Sequence, residues 1–304
     1  MKIIIAGGSG FIGQALISSF DLKKDSVIVL SRNPQATQKQ FPETVRCLTW
    51  DGLNTTPWQE EIDSQTVLIN LVGENVGKGR WSSKLKERIL NSRVIAGQAM
   101  VKAAKQAKQK PLLLIQSSGI SYYGNVADIE LNEESPMGEG FLADVCRQWE
   151  AGSAKIEELG VRRVIMRIGL VLGQGGGLLK KMVLPFQLFI GGPLGSGRQV
   201  LSWIHLADLI RAIHFFIEQE QLKGVFNCTA PHPVAMDEFS KILGTVLKRP
   251  AFFRVPGFVL KLLLGQMAEE MVLAGQKVIP DRLLNAGFTF QYTQLQQALQ
   301  DILS

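Results

Sequence analysis

The first thirteen residues, MKIIIAGGSGFIG, constrain this chain more than any other stretch. A short apolar run, Ile3 to Ala6, enters the spaced glycines Gly7, Gly10 and Gly13, and an apolar helical pattern follows. The arrangement predicts a strand that turns directly into a helix. Gly7 suits the tight turn, Gly10 lets a pyrophosphate approach the backbone, and Gly13 lets the helix lie close on the strand. The helix N-terminus, beginning at Phe11 and Ile12, then offers free N–H groups to phosphate charge. A glycine turn of purely structural use is the alternative. The apolar run is too short for a signal-peptide core, and no run elsewhere approaches the ~20 residues that cross a bilayer.

Strand-like runs recur at 2–6, 26–30, 45–50, 66–73, 111–118 and 161–169, with helical patterns between them. Most are continuously apolar, as strands buried on both faces are. The fold class expected is α/β, a Rossmann-like doubly wound parallel sheet with a smaller C-terminal α/β region closing the cleft. Residues 1–170 form the expected nucleotide-binding core. Residues 171–304 form a mixed region with later core helices, substrate-side loops and a C-terminal extension. The longest helical pattern spans 81–108, with Ser82 or Ser83 as N-cap, and Phe258 to Gly275 reads as a packed amphipathic helix.

The net charge is +6, yet the densest basic run, AAKQAKQK at 103–110, has no interleaved aromatics. An anionic small ligand fits this excess, and no nucleic-acid or membrane partner is expected. Three separated cysteines, Cys47, Cys146 and Cys228, form neither a metal-spaced cluster nor a disulfide framework. No metal is expected, and the location expected is cytoplasmic.

The second strand decides between dinucleotides. An NAD site ends this strand in Asp or Glu, which accepts from the ribose 2′-OH. Here the strand ends in Ser31-Arg32, and Asp25 precedes it. A guanidinium takes a 2′-phosphate that a carboxylate would repel, so the cofactor expected is NADP(H). Asp51 suits either the adenine amino group or an Asp-Gly turn. The backbone of Leu71, Val72 and Gly73 is expected to run beneath the ribose and pyrophosphate. Arg93 either turns inward to that edge or stays solvated.

These residues, together with SRNP (31–34), NLVGENVGKGRW (70–81), NSRV (91–94), SYYG (121–124), RIGLVLGQGGG (167–177), SWIHLADL (202–209) and GQKVIPDRLLNAGF (275–288), carry a resemblance across nearly the whole chain. The chain resembles the extended short-chain dehydrogenase/reductase superfamily. Within it, it is similar to an atypical branch of epimerase-family or SulA-like cell-division-inhibitor proteins. The resemblance implies NADP(H) held by the glycine loop, Ser31, Arg32, Leu71, Val72, Arg93 and the loop around Val171. It implies an oxidoreductase or nucleotide-sugar epimerase acting on an unidentified small molecule. The second implied reading is an NADP(H)-binding regulator with a protein partner and no turnover.

Ordinary members of the superfamily use a Ser or Thr after the fifth strand and Tyr-x-x-x-Lys on the next helix, the Tyr being the general acid/base. Anchoring on Tyr123-Gly124 puts Gly119 at the Ser position, with Ser118 one residue away. Anchoring on Glu150 puts Leu142 at the Tyr position and Cys146 at the Lys position. The remaining catalytic candidates are Ser118 and Tyr123. Tyr122, Ser117, Ser121, Asp144 and the Glu74–Arg80–Trp81 cluster lie near the same edge, and His205 and Asp208 are expected in the cleft wall. His214 reads as packed rather than ligating.

Overall fold

A computed structural model describes residues 1–304, apart from the side chains of Ala127 and Asp128. Its strands are β1 (Lys2–Ala6), β2 (Ser26–Ser31), β3 (Arg46–Thr49), β4 (Thr66–Asn70), β5 (Leu113–Gly119), β6 (Val126–Leu131), β7 (Arg162–Ile168), β8 (Leu170–Leu172), β9 (Val200–Leu201), β10 (Trp203–His205), β11 (Gly224–Cys228), β12 (Val234–Ala235) and β13 (Gln276–Val278). Its helices are α1 (Phe11–Ser18), α2 (Pro34–Gln38), α3 (Ser83–Gln106), α4 (Phe141–Gly152), α5 (Leu179–Gln187), α6 (Leu206–Glu218), α7 (Met236–Leu247), α8 (Gly257–Leu264), α9 (Asp281–Asn285) and α10 (Leu295–Leu303).

Seven strands form the parallel central sheet in the order β11-β7-β5-β4-β1-β2-β3. Alternation along β1 sends Ile3 and Ile5 into the apolar layer beneath α1 and α6, while Ile4 enters the opposite layer against α3. Each fully buried Ile of this kind contributes about 1.5–3 kcal/mol. The winding direction reverses between β1 and β4, where Ala6 pairs with Asn70 on one side and with Leu30 on the other. Loops leaving the carboxyl ends of neighbouring strands diverge at such a switch point and open a ligand crevice. Ser82 caps α3 by accepting from the Leu85 N–H.

Core elements continue past residue 170. β11 pairs with β7, and α6 packs on the sheet, so part of the second segment completes the core. A satellite cluster of α5, α7 and α10 forms around Trp203, Phe239 and Leu299. The buried Asp208 ties the tail to it by accepting from the Gln291 and Tyr292 N–H groups, each at 2.8 Å.

Phe258 to Gly275 departs from the packed amphipathic helix expected there. α8 stops at Leu264 because Gly265 turns to φ +59°, and one π-helical turn follows at Ala268–Val272. Moreover, Phe258, Leu262 and Leu263 face solvent rather than a core. No helix among the described residues is long and apolar enough to cross a membrane.

Candidate functional site

The glycine loop is built as the spacing requires. Gly7 adopts φ +84°, and a Cβ there would lie 2.9 Å from the Leu71 carbonyl carbon and oxygen. A Cβ on Gly13 would lie 2.5 Å from the Gly7 oxygen and 2.6 Å from Gly8 Cα. A Cβ on Gly10 would meet only the Gly7 oxygen, at 3.2 Å, so its outer side is open. Gly10 N-caps α1, no side chain caps that end, and the first turn holds no acidic residue. The end therefore keeps its partial positive charge and its uncapped N–H groups for an anion.

The strand ends converge on this loop. The Leu71 N–H donates to the Ala6 oxygen at 2.9 Å, which sets Leu71, Val72 and Gly73 beside Gly7. Ser31 is held by Thr37 and by the Asn33 N–H, while Arg32 is exposed and pairs with no carboxylate among the described residues. Phe11 lies under Gly173, Gly176 and Gly177, so the first glycine loop and the loop after Val171 close on each other. Ile12 packs into the core below. Arg93 turns inward: its guanidinium would touch a Cβ on Gly73 at 2.9 Å and sits 4.8 Å over the Trp149 ring. It donates to the Glu74 and Ile89 carbonyls, and burial lowers its pKa while Cys146 and Glu74 pull the other way. Asp51 takes the turn role, accepting from the Leu53 and Asn54 N–H groups at 2.8 Å each.

On the catalytic side, Leu142 is buried in an apolar cluster with Trp81, Val145 and Met267. Its N–H donates to Glu270, contributed by the turn after α8. Cys146 is buried, and burial, with Glu150 adding to it, pushes its thiol up to about 11. Neither position can exchange a proton at neutral pH.

Ser118 and Tyr123 come together in one buried network. The Ser118 hydroxyl donates to Glu150 at 2.7 Å, and Glu150 takes Arg167 with both oxygens, at 2.9 and 3.0 Å. Arg167 Nη1 donates to the Tyr123 hydroxyl, which donates to Asn227 Oδ1 at 2.8 Å. Burial raises the Tyr123 pKa against the pull of Arg167. Burial also opposes the Arg167 charge, but the bonds to Glu150 and its charge carry that pKa above the ordinary arginine value. Both candidates are thus committed to neighbours, not free in the crevice. Arg167, Glu150 and Asn227 escaped sequence reasoning as a unit. The one available signal was an arginine inside the apolar run of β7.

The other candidates are structural in their contacts. Glu74 pairs with Lys78 and Arg88, Trp81 Nε1 donates to the Val76 carbonyl, and Arg80 packs on Gly265. The 74–81 loop they shape is met by Lys181, which donates to the Gly77 carbonyl, and by Met271, whose Cε would lie 3.9 Å from a Cβ on Gly77. Asp144 pairs with Arg147 on the surface, His205 caps α6, and His214 bonds Ser19. Tyr122 is half-buried under the Arg167 guanidinium, 3.4 Å from its ring centre. No metal-holding group of His, Cys, Asp or Glu occurs among the described residues.

The thiols give a direct check of this packing. At pH 8 a disulfide thiol reagent should modify at most one thiol of the native protein, the half-buried Cys47, and all three once it is unfolded. The unfolded Cys146 thiol ionises near pH 8.5, the folded one near 11. Its contribution to stability is therefore constant below about pH 8.5 and is lost progressively as pH rises toward 11. Two or more reactive native thiols at pH 8 would contradict the arrangement.

A glycine cradle at the switch point of a doubly wound parallel sheet defines a protein of the Rossmann-like, dinucleotide-fold class. The chain belongs to the NAD dependent epimerase/dehydratase family, whose model matches residues 3–229; a domain of unknown function, DUF1731, matches 255–302. It is 37% identical over 308 residues to "Epimerase family protein SDR39U1 homolog, chloroplastic" of Arabidopsis thaliana, covering all of this chain and 87% of that protein. It is 35% identical to the epimerase family protein YfhF of Bacillus subtilis, covering 100% of this chain and 98% of that one. The crystal structure of human epimerase family protein SDR39U1 (isoform 2) with NADPH superimposes with a TM-score of 0.88, at 34% identity over 99% of both chains. The UDP-glucuronic acid 4-epimerase of Bacillus cereus shares the fold at a TM-score of 0.78 and 16% identity, over 99% of this chain and 98% of that one.

Proposed function

We propose that the chain binds NADP(H) across the β1/β4 switch point and works as an oxidoreductase or epimerase that does not use Tyr-x-x-x-Lys. The observation that carries the cofactor reading is the end of β2, where the exposed Arg32 follows Ser31 and no carboxylate stands in the ribose position. The uncapped α1 N-terminus and the open side of Gly10 fit a pyrophosphate. Gly7, Gly10, Phe11, Ile12 and Gly13 would hold it. Leu71, Val72, Gly73, Arg93 and Val171 would line the remaining walls. Human SDR39U1, whose structure was determined with NADPH, supports the same choice. Bound there, the nicotinamide supplies or accepts a hydride.

The chain's own residues orient and exclude water. Leu142 and the apolar residues around it bring no proton-transferring group to that position. Ser118 and Tyr123 act through the Glu150–Arg167 pair as positioning groups that fix β5, α4 and β7 relative to one another. A cytoplasmic setting is supported by the three unpaired thiols. The missing proton-transfer pair also favours the second reading, a SulA-like nucleotide-binding regulator whose partner is a protein; turnover of any carbonyl substrate excludes it.

The test is a fluorescence titration of Arg32→Ala. NADPH affinity should fall about 10- to 100-fold through loss of a charge-assisted contact, with NADH affinity unchanged. Equal NADPH affinity in wild type and variant would sink the assignment.

A further inference from the structure

Among the described residues, ten of the fifteen large apolar side chains that stand exposed fall in two short segments, 178–190 and 252–263. The chain brings them to one place. The Phe253 N–H donates to the Gly191 oxygen at 3.1 Å, and the Val255 N–H to the Pro193 oxygen at 3.0 Å. The Gly195 N–H returns to the Val255 oxygen at 2.8 Å. Along α5, Leu184 continues the stripe that Lys180 begins and Leu188 extends, one turn apart each. Along α8, Phe258 and Leu262 share a face, at 72% and 74% exposure. Phe252 is 71% exposed beside them in sequence and stacks on Phe253. Apolar side chains scattered singly on a surface need no explanation, whereas a clustered set marks an interaction face.

The backbone spends strain on this face. Among the described residues, two non-glycine residues have positive φ, Phe189 at 62° and Lys248 at 54°. A left-handed conformation costs an L-residue about 1–2 kcal/mol. Phe189 nevertheless remains 56% exposed, with the Arg249 guanidinium 4.6 Å from its ring centre.

Charge selects the occupant. Residues 173–207 and 239–268 contain no Asp or Glu, although the chain has 27, and they carry eight Lys or Arg. Lys261 is tied to Glu269 and Arg254 to Asp237, but Lys180, Lys248 and Arg249 make no ion pair among the described residues. A second copy docked on the same face would set these cations against each other. Exposed aromatic and aliphatic tips rimmed by unpaired cations match the interface of a bilayer with anionic headgroups.

We propose that this face of the C-terminal region docks peripherally on an anionic lipid surface, with Phe189, Phe252, Phe258 and Leu262 entering the headgroup layer and Lys180, Lys248 and Arg249 meeting its charge. α8 is eight residues long, too short to span a bilayer, so the contact is a surface one. This revises the expectation of no membrane partner, which rested on the lack of a spanning run. α5 and the turn after α8 also meet the 74–81 loop.

The experiment is co-sedimentation of the full chain with vesicles of phosphatidylcholine and phosphatidylglycerol in equal parts, against phosphatidylcholine alone. The protein should pellet with the anionic vesicles only, and less at high salt. Lys180→Ala and Lys248→Ala should each weaken partitioning about fivefold. Phe258→Gln combined with Leu262→Gln should abolish it, with the melting temperature retained. Failure to pellet with anionic vesicles overturns the proposal, as does equal pelleting with both kinds. So does a wild-type dimer that the double glutamine variant turns into a monomer, since a second copy would then cover the face.

Discussion

Gly13→Val is expected to eliminate nucleotide binding and to lower stability together. The first side-chain carbon at this position would lie 2.5 Å from the Gly7 oxygen and 2.6 Å from Gly8 Cα. These are backbone atoms, so relief requires α1 to move off β1. Overpacking of this kind costs about 1–3 kcal/mol. The displacement also withdraws the α1 N–H groups from the strand ends. Gly10→Asp is the informative partner. Its backbone at φ −79° suits any residue, and only the Gly7 oxygen lies near the new Cβ. That variant should melt close to wild type yet lose NADPH affinity, because a carboxylate then occupies the anion's approach. NADPH titration with a thermal melt on both variants separates a packing glycine from a ligand-facing one. A Gly13→Val protein that binds normally would refute the cradle.

Arg167→Met is expected to be among the most destabilising single changes in the chain, by about 3–5 kcal/mol. The Arg167 side chain is 5% exposed and that of Glu150 12%, so solvent screens the pair little. Removing the guanidinium strands a nearly buried carboxylate and leaves the Tyr123 hydroxyl without its donor. At roughly 2–4 °C per kcal/mol, the melting temperature should drop by about 6–20 °C. Glu150→Leu combined with Arg167→Met should recover part of that loss, since no unpaired charge remains. If the double variant is less stable than Arg167→Met by the full cost of a second break, the pair is not the unit described above.

Much of the fold was legible because the constraints were local. The KIIIA run, the three glycines and the continuous apolar runs of β4 and β5 each follow from backbone sterics and two-sided burial, and all lie where expected. Arg93 was ambiguous in sequence. A long helix gives no sign of which arginine points inward until Gly73 and Trp149 are placed beside it. The Ser118–Glu150–Arg167–Tyr123–Asn227 network was invisible for a similar reason. Its members come from β5, α4, β7, the turn after β5 and β11, and only sheet order makes them neighbours. Tyr123 looked available from its loop position, whereas tertiary packing consumes its hydroxyl. The exposed face of α8 was misread because apolar periodicity reports amphipathicity and not which side meets water.

The crevice joins an NADP(H) site to an α4 that carries Leu142 and Cys146 in place of a proton-transfer pair. A side-by-side titration of the wild-type protein with NADPH and NADH, at one fixed ionic strength, tests it most directly. Saturable NADPH binding at least about tenfold tighter than NADH is expected, from the contact of Arg32 with the 2′-phosphate. Equal affinities, or no binding of either nucleotide, would contradict it.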